Sequence, residues 1–243
     1  MSENNNLIKT SNYKRTIYVG TSGDYKPVSF YNKTTNNYTG IDIEISKLFA
    51  KEKNYNLVFV KTSWPTLMQD TLLNKFDFAI CGITKTQERL NKALMTTGYL
   101  TAGKTFLMRN EDKDKYQSIA DVNKSTVRVI INPGGTNEKF ARTNLTNANI
   151  IVHNINEEIP GMISRGEGDI MVTEVMEGLV YIQEFNNLAL PLYEHPFTNQ
   201  DIGILLNKKN TGIYEELNPW LEDKINDGTI DKIKNEFIPK PKE

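Results

Sequence analysis

IINPGGTNEKFAR, residues 130–142, carries the decisive signal. A β-branched run, Thr126-Val127-Arg128-Val129-Ile130-Ile131, stops at Asn132-Pro133-Gly134-Gly135, and a helical pattern resumes at Thr136. Strand, glycine turn and helix start together aim free backbone N–H groups at one point, where the helix dipole adds partial positive charge. A carboxylate, phosphate or sulfonate can rest there without a dedicated cationic side chain. The spacing is not a Walker loop, since no Gly-Lys-Ser/Thr follows, and it is not GxGxxG. A small organic anion therefore fits better than a nucleotide. An ordinary turn that needs glycines explains the same residues, so the rest of the chain has to decide.

Outward from this turn the chain alternates between two-residue and 3.6-residue hydrophobic periods. Before it, strands are predicted at 16–20, 57–60 and 76–81. The loops 21–27 and 82–89 follow the first and third of these. Ile41, Ile45, Leu48 and Phe49 share one helix face between the first two strands. Ser63 is a plausible cap for the next helix, with Pro65 in its first turn. After the glycine turn, strands are predicted at 150–153 and 170–173, with helices between. The stretches 104–109 and 201–207 read as strands that cross between two such units. The tail is helical: Ile213, Leu217, Trp220 and Leu221 share a face, Gly228 ends that helix, and Ile230, Ile233 and Phe237 mark a last one.

This order predicts an α/β chain in two lobes, a discontinuous lobe one (1–106 and 206–243) and lobe two (107–205), with a ligand in the cleft between them. Composition excludes several alternatives. A net charge of −1 spread along 243 residues gives no support for a nucleic-acid or membrane-surface partner. No apolar run approaches the ~18 residues of a membrane span, so no membrane insertion is expected. Cys81 is the lone cysteine and His153 and His195 the lone histidines, which leaves no metal site and no cofactor to expect.

The segments TSGDYKPVSFYN, GIDIEISKLFA, TSWPTLM, FDFAICGITKTQERL, GYLTAGKTF and INPGGTNEKFAR together resemble the family 3 extracytoplasmic solute-binding proteins. Within that family they look most like its cyclohexadienyl dehydratase branch, enzymes on the same scaffold. The resemblance covers residues 17–237 and implies a type II periplasmic-binding-protein-like fold, a periplasmic location and ABC permease subunits as partners. The N-terminal residues 1–16 are polar, so a signal peptide is taken to be absent from this sequence.

The resemblance also implies a site. Arg89 matches the arginine that clamps a ligand carboxylate in amino-acid-binding relatives, and a guanidinium does so bidentately. Thr84 could add a hydroxyl to the same oxygens. Gly135, Thr136 and Asn137 would take the anion from the other lobe. Tyr25 and Trp64 would form aromatic walls, and Lys104 could meet a second carboxylate. Glu174 stands where binders usually carry the aspartate that receives an ammonium group. Glu177 aligns with the residue assigned as general acid in the dehydratase, a role that needs a raised pKa.

Departures from the dehydratase pattern cluster in the pocket: Thr66 for asparagine, Thr101-Ala102 for arginine and aspartate, Thr86 for asparagine or another small polar residue, and Glu174 for aspartate. They favour a binding protein for a small amino-acid-like, zwitterionic or cationic organic ligand, closing around it by hinge motion. The alternative is a prephenate/arogenate dehydratase, a carbon–oxygen lyase with Glu177 as acid. Prephenate brings two carboxylates and no amine, so that alternative requires one of the two glutamates to be neutral.

Overall fold

The β-branched runs pair into two five-stranded sheets in the structure, a computed structural model that describes residues 13–241. The polar residues 1–12, and residues 242–243 of the expected first lobe, lie outside the described residues. In the first sheet the order is Tyr55–Lys61, Arg15–Thr21, Phe78–Ala79, Leu205–Leu206, Leu94–Met95. The first three strands are parallel and the last two pairings antiparallel. Parallel neighbours need crossovers, and helix Ile41–Lys53 supplies one, burying Ile41, Ile45 and Phe49. Asn54 ends it in the left-handed region, φ 59°, which asparagine tolerates better than most residues.

The second sheet runs Asn149–Val152, Arg128–Ile131, Ile170–Glu174, Lys104–Arg109, Leu188–Ala189. Again the first three strands are parallel, joined through helices Thr136–Asn144 and Ile159–Ser164, and the others are antiparallel. Strand Lys104–Arg109 spans the expected 106/107 boundary and pairs in this sheet along its length, from Lys104 opposite Glu174 to Met108 opposite Ile170. Between the sheets, Leu100–Ala102 and Gln200–Ile202 form a two-stranded antiparallel ribbon where the chain crosses out and back. Each sheet has its own apolar cluster, Val19, Phe49, Phe78 and Trp220 around one, Phe106, Val129, Ile131 and Val172 around the other. At roughly 1.5–3 kcal/mol for each fully buried large apolar side chain, the two clusters stabilise their own sheets separately.

Three local expectations are corrected. Residues 21–27 are not all loop: Asp24–Tyr25 pairs with Ser29–Asn32, which pairs with Asn37–Thr39, in a small meander too short to show a period. Ser63 is not the cap of the next helix. That helix is Leu67–Leu72 with Thr66 at its N-cap, and the Ser63 carbonyl accepts the N–H groups of Thr66 and Leu67 at 3.1 and 2.8 Å. The strand expected at 76–81 pairs only at Phe78–Ala79. The tail helix Thr211–Asn226 buries Ile213, Leu217, Trp220 and Leu221 as their spacing predicts.

Candidate functional site

Strand ends and one helix start converge on the space between the sheets. Lys104 begins its strand and Glu174 ends the neighbouring one, so antiparallel register makes them partners. Their side chains, 3% and 5% exposed, form an ion pair. Lys104 Nζ also donates to Thr136 Oγ1 at 2.7 Å. Thr136 opens helix Thr136–Asn144, and its N-cap Gly135 supplies no side-chain bond. An ammonium group thus stands beside an uncapped helix N-terminus, a place suited to an anion. The adjoining Gly134 N–H is already taken by Glu138 Oε2 at 2.7 Å.

Glu177 lies one turn past Glu174, in helix Val175–Glu184, and is 1% exposed. Its carboxylate accepts from Thr173 Oγ1 at 2.5 Å, Asn156 Nδ2 at 2.7 Å and Tyr181 Oη at 3.3 Å. Burial pushes its pKa up to about 7; the bonds from Thr173 and Asn156 pull the other way, and the charges of Glu174 and Asp24 add to the rise. Near neutral pH this carboxyl group can hold or give up a proton.

The first lobe closes over these groups. Tyr25, 5% exposed, donates its phenol hydrogen to Glu174 across the cleft, and its ring meets Trp64 edge-on at 6.3 Å. Trp64 Nε1 donates to Asp24 Oδ1 at 3.2 Å. Gly82 has φ +75°, and a Cβ there would run into the Tyr25 ring, so the ring's position depends on glycine. The Gly82 N–H donates to Asp42 Oδ2 and the Tyr99 hydroxyl to Asp42 Oδ1, both at 2.7 Å. Burial pushes Asp42 up to about 7. Further cross-cleft contacts are Asn156 Nδ2 to the Asp24 carbonyl at 3.1 Å and Lys26 to Glu184 at 2.7 Å.

Of the expected residues, Tyr25, Trp64, Lys104, Gly135, Thr136, Asn137, Glu174 and Glu177 line one narrow cavity. The structure does not bring Arg89 or Thr84 to it. Arg89 lines an adjoining recess that shares Trp64, Gly135 and Thr136, and its Nη1 donates to the Thr84 carbonyl at 2.8 Å. Burial lowers the Arg89 pKa. Thr84 is 2% exposed because its backbone bridges to Ile202, which holds it behind the wall. Gly82, Asn132 and Asn156 line the cavity without having been singled out. Asn132 stands inside the decisive motif, whereas Asn156 lies in a non-periodic loop that gives no signal. The Oδ1 atoms of Asn137 and Asn156 are buried without a partner, acceptors open to a ligand's N–H or O–H. Among the described residues no group of three or more His, Cys, Asp or Glu is placed to hold a metal, and no helix is long and apolar enough to cross a membrane.

Residues 17–240 match the model of the bacterial extracellular solute-binding proteins, family 3. Cyclohexadienyl dehydratase of Pseudomonas aeruginosa is 35% identical over 205 residues, 84% of this chain and 76% of that protein. The crystal structure of the ancestral amino acid-binding protein AncCDT-1, a precursor of cyclohexadienyl dehydratase, matches with a TM-score of 0.84 at 32% identity, covering 92% of this chain and 95% of that one. A variant of an ancestral cyclohexadienyl dehydratase, AncCDT-3, matches with a TM-score of 0.55 at 42% identity, covering 92% of each chain.

Proposed function

From the chain's membership of the family 3 bacterial extracellular solute-binding proteins, and from the charges in its cleft, we propose that it acts on an enclosed small carboxylate as a cyclohexadienyl dehydratase. The two-lobed type II periplasmic-binding-protein fold is shared across this family of amino-acid-binding relatives, so the fold does not choose between binding and catalysis. The choice rests on one observation: the ammonium of Lys104 lies on Glu174 and on Thr136 Oγ1. The acid that would receive a ligand's ammonium is already matched by the protein's own. With that pair matched, the positive character left facing a ligand comes from the uncapped helix start beside the Lys104 ammonium, which suits an anion. Glu177, raised by burial to about 7, can hold near neutral pH the proton this reading requires.

In this reading Lys104, Thr136 and the N–H groups after Gly135 hold the carboxylates of prephenate, and Trp64 and Tyr25 enclose its ring. The proton of Glu177 passes to the ring hydroxyl oxygen as the carbon–oxygen bond breaks and water leaves. The bond to the ring carboxylate breaks in the same process. Its electron pair enters the ring, carbon dioxide departs and the aromatic product forms. Glu177 is left as a carboxylate and takes a proton back from solvent. The two lobes would move as hinged bodies on the ribbon Leu100–Ala102 and Gln200–Ile202, with strand Lys104–Arg109 travelling with lobe two rather than divided at 106/107. An extracellular or periplasmic location goes with the family. ABC permease subunits would be partners only under the second reading.

That second reading, capture of an amino-acid-like zwitterion for transport, is favoured by Glu174 itself, an acid at the place where binders receive an ammonium. Purified protein incubated with prephenate separates the two. Formation of phenylpyruvate, abolished by Glu177→Gln and declining as pH rises above about 7, is expected of the enzyme. No turnover above the uncatalysed rate, with thermal stabilisation by an amino acid or betaine, would replace it with the binder.

A further inference from the structure

We propose that Asn156 is a positioning residue whose single carboxamide nitrogen makes the placement of Glu177 depend on closure of the cleft. Nδ2 donates to Glu177 Oε1 at 2.7 Å in its own lobe and to the backbone carbonyl of Asp24 at 3.1 Å in the other. The inference deepens the reading of Glu177 as the acid and rests on it.

A carboxamide nitrogen has two hydrogens, and here each has one acceptor. The Asp24 carbonyl can only accept, so the orientation of the Asn156 amide is settled by chemistry. Asn156 is 4% exposed, at the start of the short turn Asn156–Glu158 that follows strand Asn149–Val152. The other donors to Glu177, Thr173 and Tyr181, belong to the second lobe alone and keep their bonds whether the cleft is open or shut. When the lobes part, the Asp24 carbonyl moves away with the first lobe. Asn156 then keeps Glu177 as its one partner, its amide is held by one bond instead of two, and the aim of Glu177 Oε1 loosens. The acid is set for its task only when the ligand is enclosed, which guards against proton transfer in an open, wet cleft.

The ionisable groups facing Glu177 are Glu174 and Tyr181 on its own helix and its N-cap, and Asp24 and Tyr25 from the first lobe. Lys104 from the neighbouring strand reaches it through Glu174. None of these is altered by a change at Asn156. Because the Asn156 bond favours the charged carboxylate, its loss raises the pKa of Glu177 and moves the alkaline fall of activity to higher pH.

The test is prephenate turnover by the full chain, Asn156→Ala and Asn156→Leu, with kcat, KM and the pH profile measured for each, and thermal unfolding as a check on folding. Expected are a kcat about 10- to 100-fold lower, a KM within about threefold and an alkaline limb displaced upward in both variants. Asn156→Leu keeps the size, adds no ionisable group and has no hydrogens to give, so it carries the test if the alanine variant fails to fold. Unchanged kcat, or a lower kcat with the limb unmoved, overturns the positioning role while leaving the acid in place. Absence of turnover by the unaltered chain overturns both.

Discussion

Lys104 and Glu174 stand opposite each other at the ends of two antiparallel strands and close an ion pair at the floor of the cleft, with 3% and 5% of their side chains exposed. Breaking such a pair leaves a charge buried without its counter-ion, which typically costs ~3–5 kcal/mol. Lys104→Met should destabilise by roughly that amount, and Lys104→Met/Glu174→Gln should recover most of it. Both should lose turnover, because the ammonium meets the substrate whether or not the fold is relieved. Urea unfolding of the two variants checks this; a single variant as stable as the parent would mean that the pair is not closed in solution.

Glu177 gives stability a pH dependence of unusual sign. Unfolded, its carboxyl ionises from about 4.5 upward; folded, it keeps its proton until about 7. Between those values the folded state binds the extra proton, so stability falls as pH rises through the window and levels off above it. Glu177→Gln removes the effect. It should be close to the parent at pH 4 and more stable at pH 8, by up to about 3 kcal/mol. A gain independent of pH would show that the carboxyl titrates normally.

What the sequence disclosed and what it hid divide along physical lines. The face of Ile213, Leu217, Trp220 and Leu221 was legible because four residues at helical spacing encode burial locally. The glycine turn before Thr136 was legible because its residue types permit few backbones. Lys104 and Glu174 each stood out, one as an anchor for a carboxylate and the other as an acid for an ammonium. Their pairing did not, since the register of two strands 70 residues apart is nowhere in the local pattern. Asn156 was hidden for the same reason, being a carboxamide in a loop whose partners are 21 and 132 residues away. Thr84 differs: the resemblance suggested it, whereas in the structure its backbone bridges to Ile202 and it does not line the cavity.

Gly134 reports on closure from the rim. It has φ +85°, and a Cβ there would lie 2.5 Å from the backbone nitrogen of Pro65 on the opposite lobe. Gly134→Ala should therefore prop the cleft open, beyond the ~1 kcal/mol that a left-handed alanine costs. Small-angle scattering should give a larger radius of gyration for the variant with ligand than for the parent with ligand. The KM should rise about tenfold or more, because closure no longer adds the first lobe's contacts. Equal radii and equal KM would show that the lobes meet differently when occupied.

Asp42 tests how the first wall of the cavity is braced. Its two oxygens take the Gly82 N–H and the Tyr99 hydroxyl, and Gly82 lies directly beneath the Tyr25 ring. Asp42→Ala strands two buried donors, each costing ~1–3 kcal/mol when unsatisfied. Asp42→Asn can still accept from Gly82 through its oxygen, while its nitrogen donates to the Tyr99 oxygen. Burial pushes Asp42 from 3.8 up to about 7, so between those values the folded aspartate must hold a proton the unfolded chain releases, and the asparagine avoids that cost. Asp42→Ala should therefore be much less stable than the parent and raise KM as Tyr25 loses its support. Asp42→Asn should match the parent near pH 4, gain on it as pH rises to about 7, and keep that advantage at pH 8. If the two variants unfold alike, the side chain acts by filling space and the hydrogen bonds to Gly82 and Tyr99 contribute little.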